Sequence, residues 1–97
     1  MSQMIETSYC RISVTETSGD GPAVLFIHGN SSCKEVFQDQ LNSDLGSHYR
    51  CIAMDLPGHG QSEDAGEPEA TYTMTGYADA AVQVMNTLHQ GPFAVVE

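Results

Sequence analysis

The run His28, Gly29 and Asn30, followed by Ser31, carries the most informative chemistry in the chain. Acyl transfer needs hydrogen-bond donors aimed at the oxygen that becomes negative in the transition state. A backbone N–H approaches that oxygen closely only where the chain turns sharply without a Cβ in the way, which Gly29 would permit. We therefore expect the Asn30 amide to be an oxyanion-hole donor, with Gly29 and Ser31 contacting the substrate. The alternative is a plain turn between a strand and a helix.

A second segment, Asp-Leu-Pro-Gly-His-Gly-Gln-Ser at residues 55–62, also follows an apolar run. Its distance from the first segment leaves room for one intervening helix. Its glycines and proline are typical of a tight turn, so we expect Gly58, His59 and Gly60 to be structural turn residues. His28 should likewise support its turn and not act as an acid or a base. Asp55 could by its type be a catalytic acid, and the alternative is a structural role in the turn.

Other kinds of site are not supported by the spacing. Residues 58–63 lack the third glycine and the helix that a dinucleotide-binding fingerprint requires. No His-x-His-x-Asp-His run offers ligands for a hydrolytic metal site. The three cysteines, Cys10, Cys33 and Cys51, have no CxxC spacing. We therefore expect no cofactor, no metal and no disulfide framework, and a reducing, cytoplasmic location.

Five strands are predicted to position these segments. Loose alternation of apolar and polar residues over 4–7 and 9–16 predicts an antiparallel pair around a turn at Ser8. Continuous apolar runs at 23–27 and 50–56 are typical of strands covered on both faces. A third run of this kind opens at residues 93–96, after Gly-Pro.

Two helices are predicted between the buried strands. Ser32 and Glu35 match a capping box, which would start a helix. The side chains on one face of that helix would be Phe37, Leu41 and Leu45. Gly46 would be its C-cap. From about Met74 an apolar stripe predicts a second helix. Its members are Tyr77, Ala78, Ala81, Met85 and Leu88. Strands and helices in this alternation indicate the α/β class with a largely parallel sheet.

Composition limits the partners. The 97 residues include thirteen Asp and Glu but only three Lys and Arg, for a net charge of −10. We therefore expect no nucleic-acid partner and no anionic membrane partner, since both require a basic surface. No stretch approaches the roughly 20 apolar residues that a membrane-spanning helix needs. The N-terminal residues also lack a signal-peptide pattern.

With both motifs in view, the chain resembles the amino-terminal part of an α/β-hydrolase over about residues 9–96. That family commonly has a His-Gly turn after its third strand and D-x-P-G-x-G-x-S after its fourth, and both are present here. The resemblance implies that Asp55 braces its turn. It also implies a partial domain over residues 1–97, truncated after the fifth strand. The family's nucleophile follows that strand on a Gly-x-Ser-x-Gly elbow, with the acid and the histidine later. On this basis the 97 residues by themselves should be inactive.

Within the family, the run His-Gly-Asn-Ser-Ser at residues 28–32 is most similar to metal-independent N-acyl-homoserine lactonases. Residues 55–60 and 76–79 resemble the same proteins. The resemblance implies serine acyl transfer on a small-molecule ester or lactone, with no cofactor.

Two alternatives stay open. Haloalkane dehalogenases also carry His-Gly-Asn, and there the Asn30 side chain would bind halide. A non-catalytic remnant or binding module is the other. The family's strand order also predicts that the edge of residues 93–96 is open to self-association.

Overall fold

The computed structural model describes residues 2–29, 32–89 and 91–97, and within them five strands form one sheet. The strands are β1 (Ser2–Glu6), β2 (Arg11–Glu16), β3 (Ala23–Ile27), β4 (Arg50–Met54) and β5 (Ala94–Val96). Their order across the sheet is β1-β2-β4-β3-β5. The pairs β1–β2 and β2–β4 are antiparallel, whereas β3 runs parallel to both β4 and β5. The predicted α/β class, with an antiparallel hairpin followed by parallel strands, is confirmed.

Short helical elements connect β3 to β4, and a long helix precedes β5. The first connection contains a 3₁₀ turn (Lys34–Phe37), α1 (Gln38–Leu41) and α2 (Asp44–His48). The second contains α3 (Pro68–Thr71) and α4 (Met74–Leu88). The short helix α3 was not among the two helices predicted from the sequence. Pro68 stands at the start of this short helix, where its missing N–H costs nothing.

The prediction of one helix after a Ser32–Glu35 capping box is wrong. Cys33 occupies the N-cap position without a side-chain cap. The Lys34 N–H donates to the side chain of Asp55, and Glu35 accepts from the Lys34 ammonium instead of turning back to the Ser32 N–H. The helical path is then interrupted at Ser43, whose hydroxyl oxygen accepts the Leu45 N–H and starts α2.

Gly46 is not a C-cap, contrary to expectation, but lies buried inside α2. A Cβ at this position would collide with the backbone carbonyl of Leu41 at the end of α1. The glycine therefore allows two short helices to approach closely. Despite the break, Phe37, Leu41 and Leu45 all pack against one cluster, as their spacing predicted.

The sheet has a hydrophobic core on each face, because alternate residues of β3 and β4 point to opposite faces. One face carries Phe26, Cys51 and Ala53, which pack against the connection between the two strands. The other face carries the larger core, to which α4 contributes. Its buried members are Ile5, Ile12, Val14, Ala23, Leu25, Ile52, Met54, Leu56, Ala81, Val84 and Met85. The two-residue period of the strands therefore serves two separate cores.

Helix α4 begins as predicted at Met74, where the Thr73 hydroxyl oxygen accepts the Gly76 N–H. Its buried stripe differs in part from the predicted one. Ala81 and Met85 are buried as expected, but Ala78 is exposed. Among the described residues, no helix is long and apolar enough to cross a membrane.

Candidate functional site

The candidate site lies at the carboxyl ends of β3 and β4. Ile27 and Met54, the last residues of these parallel strands, are register partners. The residues that follow them, His28 and Asp55, therefore leave the sheet side by side. Open α/β sheets place their ligands at this edge.

His28 is buried and connects the turn that follows β3 to the turn that follows β4, which are called the first and the second turn below. Its Nε2 accepts the backbone N–H of Leu56 at 3.0 Å, and its Nδ1 lies 2.7 Å from the carbonyl oxygen of Gly29. A nitrogen that accepts an N–H carries no proton, so Nδ1 must be the protonated nitrogen that donates to Gly29. The arrangement requires the neutral imidazole. It leaves neither ring nitrogen free to act as a base.

Asp55 is fully buried and accepts three hydrogen bonds through its carboxylate. Oδ1 accepts the backbone N–H of Lys34 at 2.7 Å. Oδ2 accepts the Gln61 N–H at 3.0 Å and the Lys34 ammonium at 3.0 Å. Its backbone carbonyl accepts the Ser62 hydroxyl at 2.7 Å. These contacts join the two turns and leave no carboxylate oxygen without a protein donor.

Lys34 is the residue of this region that sequence reasoning missed. Its side chain is only 2% exposed, and its ammonium contacts Asp55, Glu35 and Gln61 at 3.0–3.1 Å. The available signal was the scarcity of cations. With three Lys and Arg against thirteen acids, each cation is a candidate for an ion pair. Burial of a lysine directly after a turn has no signature in hydrophobic periodicity.

The charges of the buried pair stabilise one another. Burial by itself would raise the pKa of the Asp55 carboxyl, but the N–H donors of Gln61 and Lys34 and the ammonium outweigh it, so the pKa is lowered. Burial would likewise lower the pKa of Lys34, and the carboxylates of Asp55 and Glu35 outweigh it, so that pKa is raised. Both groups are therefore ionised at neutral pH.

The second turn requires its glycines for two reasons. Gly58 and Gly60 have φ values of +75° and +51°, which side chains other than glycine rarely adopt. A Cβ on Gly60 would also collide with the Asp55 carboxylate, and one on Gly58 with the Tyr72 hydroxyl. His59 lies beside His28, with ring centroids 5.1 Å apart, and its Nδ1 is 3.0 Å from the carbonyl oxygen of Pro57.

The residues predicted to contact the substrate are only partly described. Asn30 and Ser31 lie outside the described residues. Gly29 is exposed, and a Cβ built on it meets no atom within 4 Å. That Gly29 allows a backbone N–H to approach a substrate oxygen closely therefore stays a prediction.

The last described strand brings the end of the chain to the same edge. β5 lies beside β3, with Phe26 and Val96 as register partners. The residue after Val96 therefore leaves the sheet next to the turn at His28. Between β3, β5 and α4 lies an open groove of about 430 Å³, with His28, Tyr77 and Glu97 among its otherwise mostly apolar lining. No cluster of three potential metal ligands occurs in ranges 2–29, 32–89 and 91–97.

Comparison with known proteins agrees with this geometry. A family model described as the alpha/beta hydrolase fold matches residues 22–96. The N-acyl homoserine lactonase AidH, solved in complex with N-butanoyl homoserine, is 46% identical with a TM-score of 0.95, over 98% of this chain and 35% of AidH. A mutant of AidH with a serine replaced by glycine was solved with N-hexanoyl homoserine lactone.

More distant relatives have other named activities. A 2-(acetamidomethylene)succinate hydrolase from Mesorhizobium japonicum is 34% identical over 94% of this chain and 31% of its own length. A haloalkane dehalogenase from the same species is 33% identical over 77% of this chain and 24% of its own length. The chain therefore spans about a third or less of the length of these relatives.

Proposed function

Because the chain belongs to the α/β-hydrolase family, we propose that the whole protein hydrolyses a carboxylic ester or lactone by serine acyl transfer. N-acyl-homoserine lactones are the substrate class that we favour. The protein would act on a small molecule in the cytoplasm, without a cofactor and without a nucleic-acid or membrane partner.

The adjacency of β3 and β5 carries this proposal. Phe26 and Val96 are register partners in parallel strands, so a nucleophile that follows β5 would stand beside the residues that follow β3. A carbonyl held between them would meet the nucleophile on one side and the Asn30 amide on the other. In α/β-hydrolases a glycine-flanked serine follows this strand.

The preference for lactones rests on AidH. AidH itself was solved with N-butanoyl homoserine, the ring-opened form, and its serine-to-glycine mutant with the ring-closed N-hexanoyl homoserine lactone. This difference is what is expected if that serine opens the ring. At 46% identity over almost the whole chain, the same reaction is the best-supported proposal for this protein.

In the proposed mechanism the serine oxygen attacks the lactone carbonyl while a histidine takes its proton, with a carboxylate orienting the histidine. The Asn30 N–H and the amide after the serine stabilise the oxyanion. Collapse of the tetrahedral intermediate breaks the ring C–O bond, and the histidine returns the proton to the departing hydroxyl. Water then releases the acid by the same steps. The family places serine, acid and histidine beyond these residues, so the 97-residue chain should be inactive.

Haloalkane dehalogenation is the second candidate, favoured by the 33% identical dehalogenase. In that reaction an aspartate follows β5 and the Asn30 side chain binds the halide. The residue at the elbow and the atom used by Asn30 therefore separate the two candidates.

Two substitutions of Asn30 test the proposal in the full-length protein. Asn30→Pro removes the backbone N–H and should lower kcat for N-hexanoyl homoserine lactone about 100-fold or more, with a smaller change in KM. Asn30→Ala keeps the N–H and should lower kcat far less. Lactone opening followed by chromatography is the measurement, with the 97-residue chain as the inactive control. Equal loss in both variants, together with halide release from a haloalkane, would favour the dehalogenase instead.

A further inference from the structure

We infer that Lys34 is a positioning residue, whose buried ammonium holds the downstream end of the segment 28–34, which contains Asn30. The inference rests on the proposed function, since it assigns the turn a role in catalysis. Lys34 itself would not touch the substrate.

The turn is anchored at both ends to two consecutive residues. Upstream, His28 Nε2 accepts the backbone N–H of Leu56 at 3.0 Å. Downstream, the backbone N–H of Lys34 donates to Asp55 Oδ1 at 2.7 Å. Asp55 and Leu56 directly follow β4, whose residues 51–54 are fully buried. Both anchors are therefore attached to one rigid point of the sheet, and Asn30 lies between them in the sequence.

The ammonium of Lys34 fixes the orientation of the Asp55 carboxylate, which is the acceptor of the downstream anchor. It contacts Asp55 Oδ2 at 3.0 Å, while the backbone N–H of the same residue contacts Oδ1. Two donors of one residue thus grip both oxygens of one carboxylate and determine how it is rotated. Gln61 completes the grip, because its N–H also donates to Oδ2 and its side-chain oxygen accepts from the ammonium.

Stability alone does not account for this arrangement. A buried ion pair loses solvation that its own attraction only roughly repays, and apolar residues of similar volume often serve the fold as well. What the pair adds is a defined geometry between two turns. A misplacement of about 1 Å at a reacting centre can cost about 100-fold in rate.

The test compares two charge-removing substitutions in the full-length protein. Lys34→Met keeps the length of the stem and removes the ammonium. Arg50→Met is the matched control, because it breaks the Arg50–Glu16 pair, which is 30% and 20% exposed and lies at the opposite end of β4. Kinetics with N-hexanoyl homoserine lactone and NMR hydrogen exchange of the amides of residues 34 and 56 are measured for both.

Lys34→Met should lower kcat about 10- to 100-fold with KM within about twofold, whereas Arg50→Met should leave both near the wild-type values. Exchange of the residue 34 amide should accelerate about tenfold more than exchange of the Leu56 amide. In Arg50→Met the two amides should change equally. Lys34→Arg, which restores a cation, should recover part of kcat.

A kcat of Lys34→Met equal to that of the wild type would overturn the inference. If Lys34→Met does not fold, the double variant Lys34→Met/Asp55→Asn, which leaves no unpaired buried charge, takes its place with the same expected loss. If the wild type opens no lactone, the proposed function fails. The positioning role is then decided by exchange, and equal acceleration of the two amides would refute it.

Discussion

β4 and β5 are both short apolar strands, yet they have opposite surroundings. Residues 51–54 of β4 are completely buried, whereas Val95 and Val96 of β5 are 51% and 41% exposed. β4 has a strand on each side and a core on each face, while β5 has β3 on one side and an open groove beside it. An apolar run therefore indicates the environment that a strand requires, and its neighbours decide whether that environment is present.

The same contrast applies to the loops. The turns after β3 and β4 satisfy one another through buried contacts of His28, Lys34 and Asp55. The face of α4 towards the groove instead exposes Met74 and Val82, at 83% and 47%. Among the described residues, the turns after β3 and β4 are held together by buried polar contacts. The neighbouring side of the same edge, at α4 and the groove, presents apolar surface.

Matched valine truncations give the largest expected difference between the two regions. In the 97-residue chain, Val14, which is fully buried in β2, and Val95, which is half-exposed, are each changed to alanine. Val14→Ala should lower the free energy of unfolding by about 2 kcal/mol through lost burial and a residual cavity. Val95→Ala should lower it by less than about 0.5 kcal/mol. Urea unfolding measures both, and similar losses would show that β5 is covered in solution.

The pH dependence of the unfolding free energy tests whether the ion pair of Lys34 and Asp55 holds the turns after β3 and β4 together. The lowered pKa of Asp55 stabilises the fold fully above the unfolded value of about 4, and this contribution is lost as pH falls through the folded pKa. The raised pKa of Lys34 stabilises it fully below about 10, and this is lost as pH rises through the folded pKa. Each pKa unit corresponds to about 1.4 kcal/mol.

The measurement is the unfolding free energy of the wild type minus that of Lys34→Met/Asp55→Asn, taken across pH. Subtraction removes the titration of groups that both proteins share. The difference should be level from about pH 4 to pH 10 and decline on either side. A difference that does not change with pH would contradict the account of the pair.

A single added charge on β5 should weaken self-association through β5 and the groove. Its effect on the unfolding free energy should be the smallest of those predicted here. Val95→Lys places a cation on the exposed strand and should shift the 97-residue chain towards the monomer in analytical ultracentrifugation. Its unfolding free energy should change by less than about 0.5 kcal/mol. Val36→Lys, at a valine that is 54% exposed elsewhere, is the control and should not alter association. A wild-type chain that is already monomeric at high concentration would refute the proposal.

Much of the fold was accessible from local patterns. The strand runs and the stripe of α4 have periods that follow from backbone geometry, so their positions could be predicted to within a few residues. The connection between β3 and β4 could not, because its start depends on Asp55, which lies about twenty residues further along the chain. A capping box describes contacts within one helix end and cannot account for a remote carboxylate that accepts an N–H there.

The candidate site shows the same limit. His28, Asp55 and the glycines around His59 were recognised from motifs, but Lys34 was not, because neither its type nor its spacing distinguishes it from a surface lysine. Only contacts between distant residues reveal that all three cations, Arg11, Lys34 and Arg50, form ion pairs, and that one of these pairs is buried.

The anchoring of one turn to two consecutive residues has a consequence for tolerance to mutation. Leu56 contributes its main-chain N–H, which every residue except proline possesses, so other apolar side chains could replace it without loss of that hydrogen bond. Asp55 contributes its carboxylate, and the space beside it is closed by Gly60. A longer or uncharged side chain would lose the grip on Lys34 or collide with the second turn. Neighbouring positions with the same structural duty should therefore accept very different ranges of amino acids.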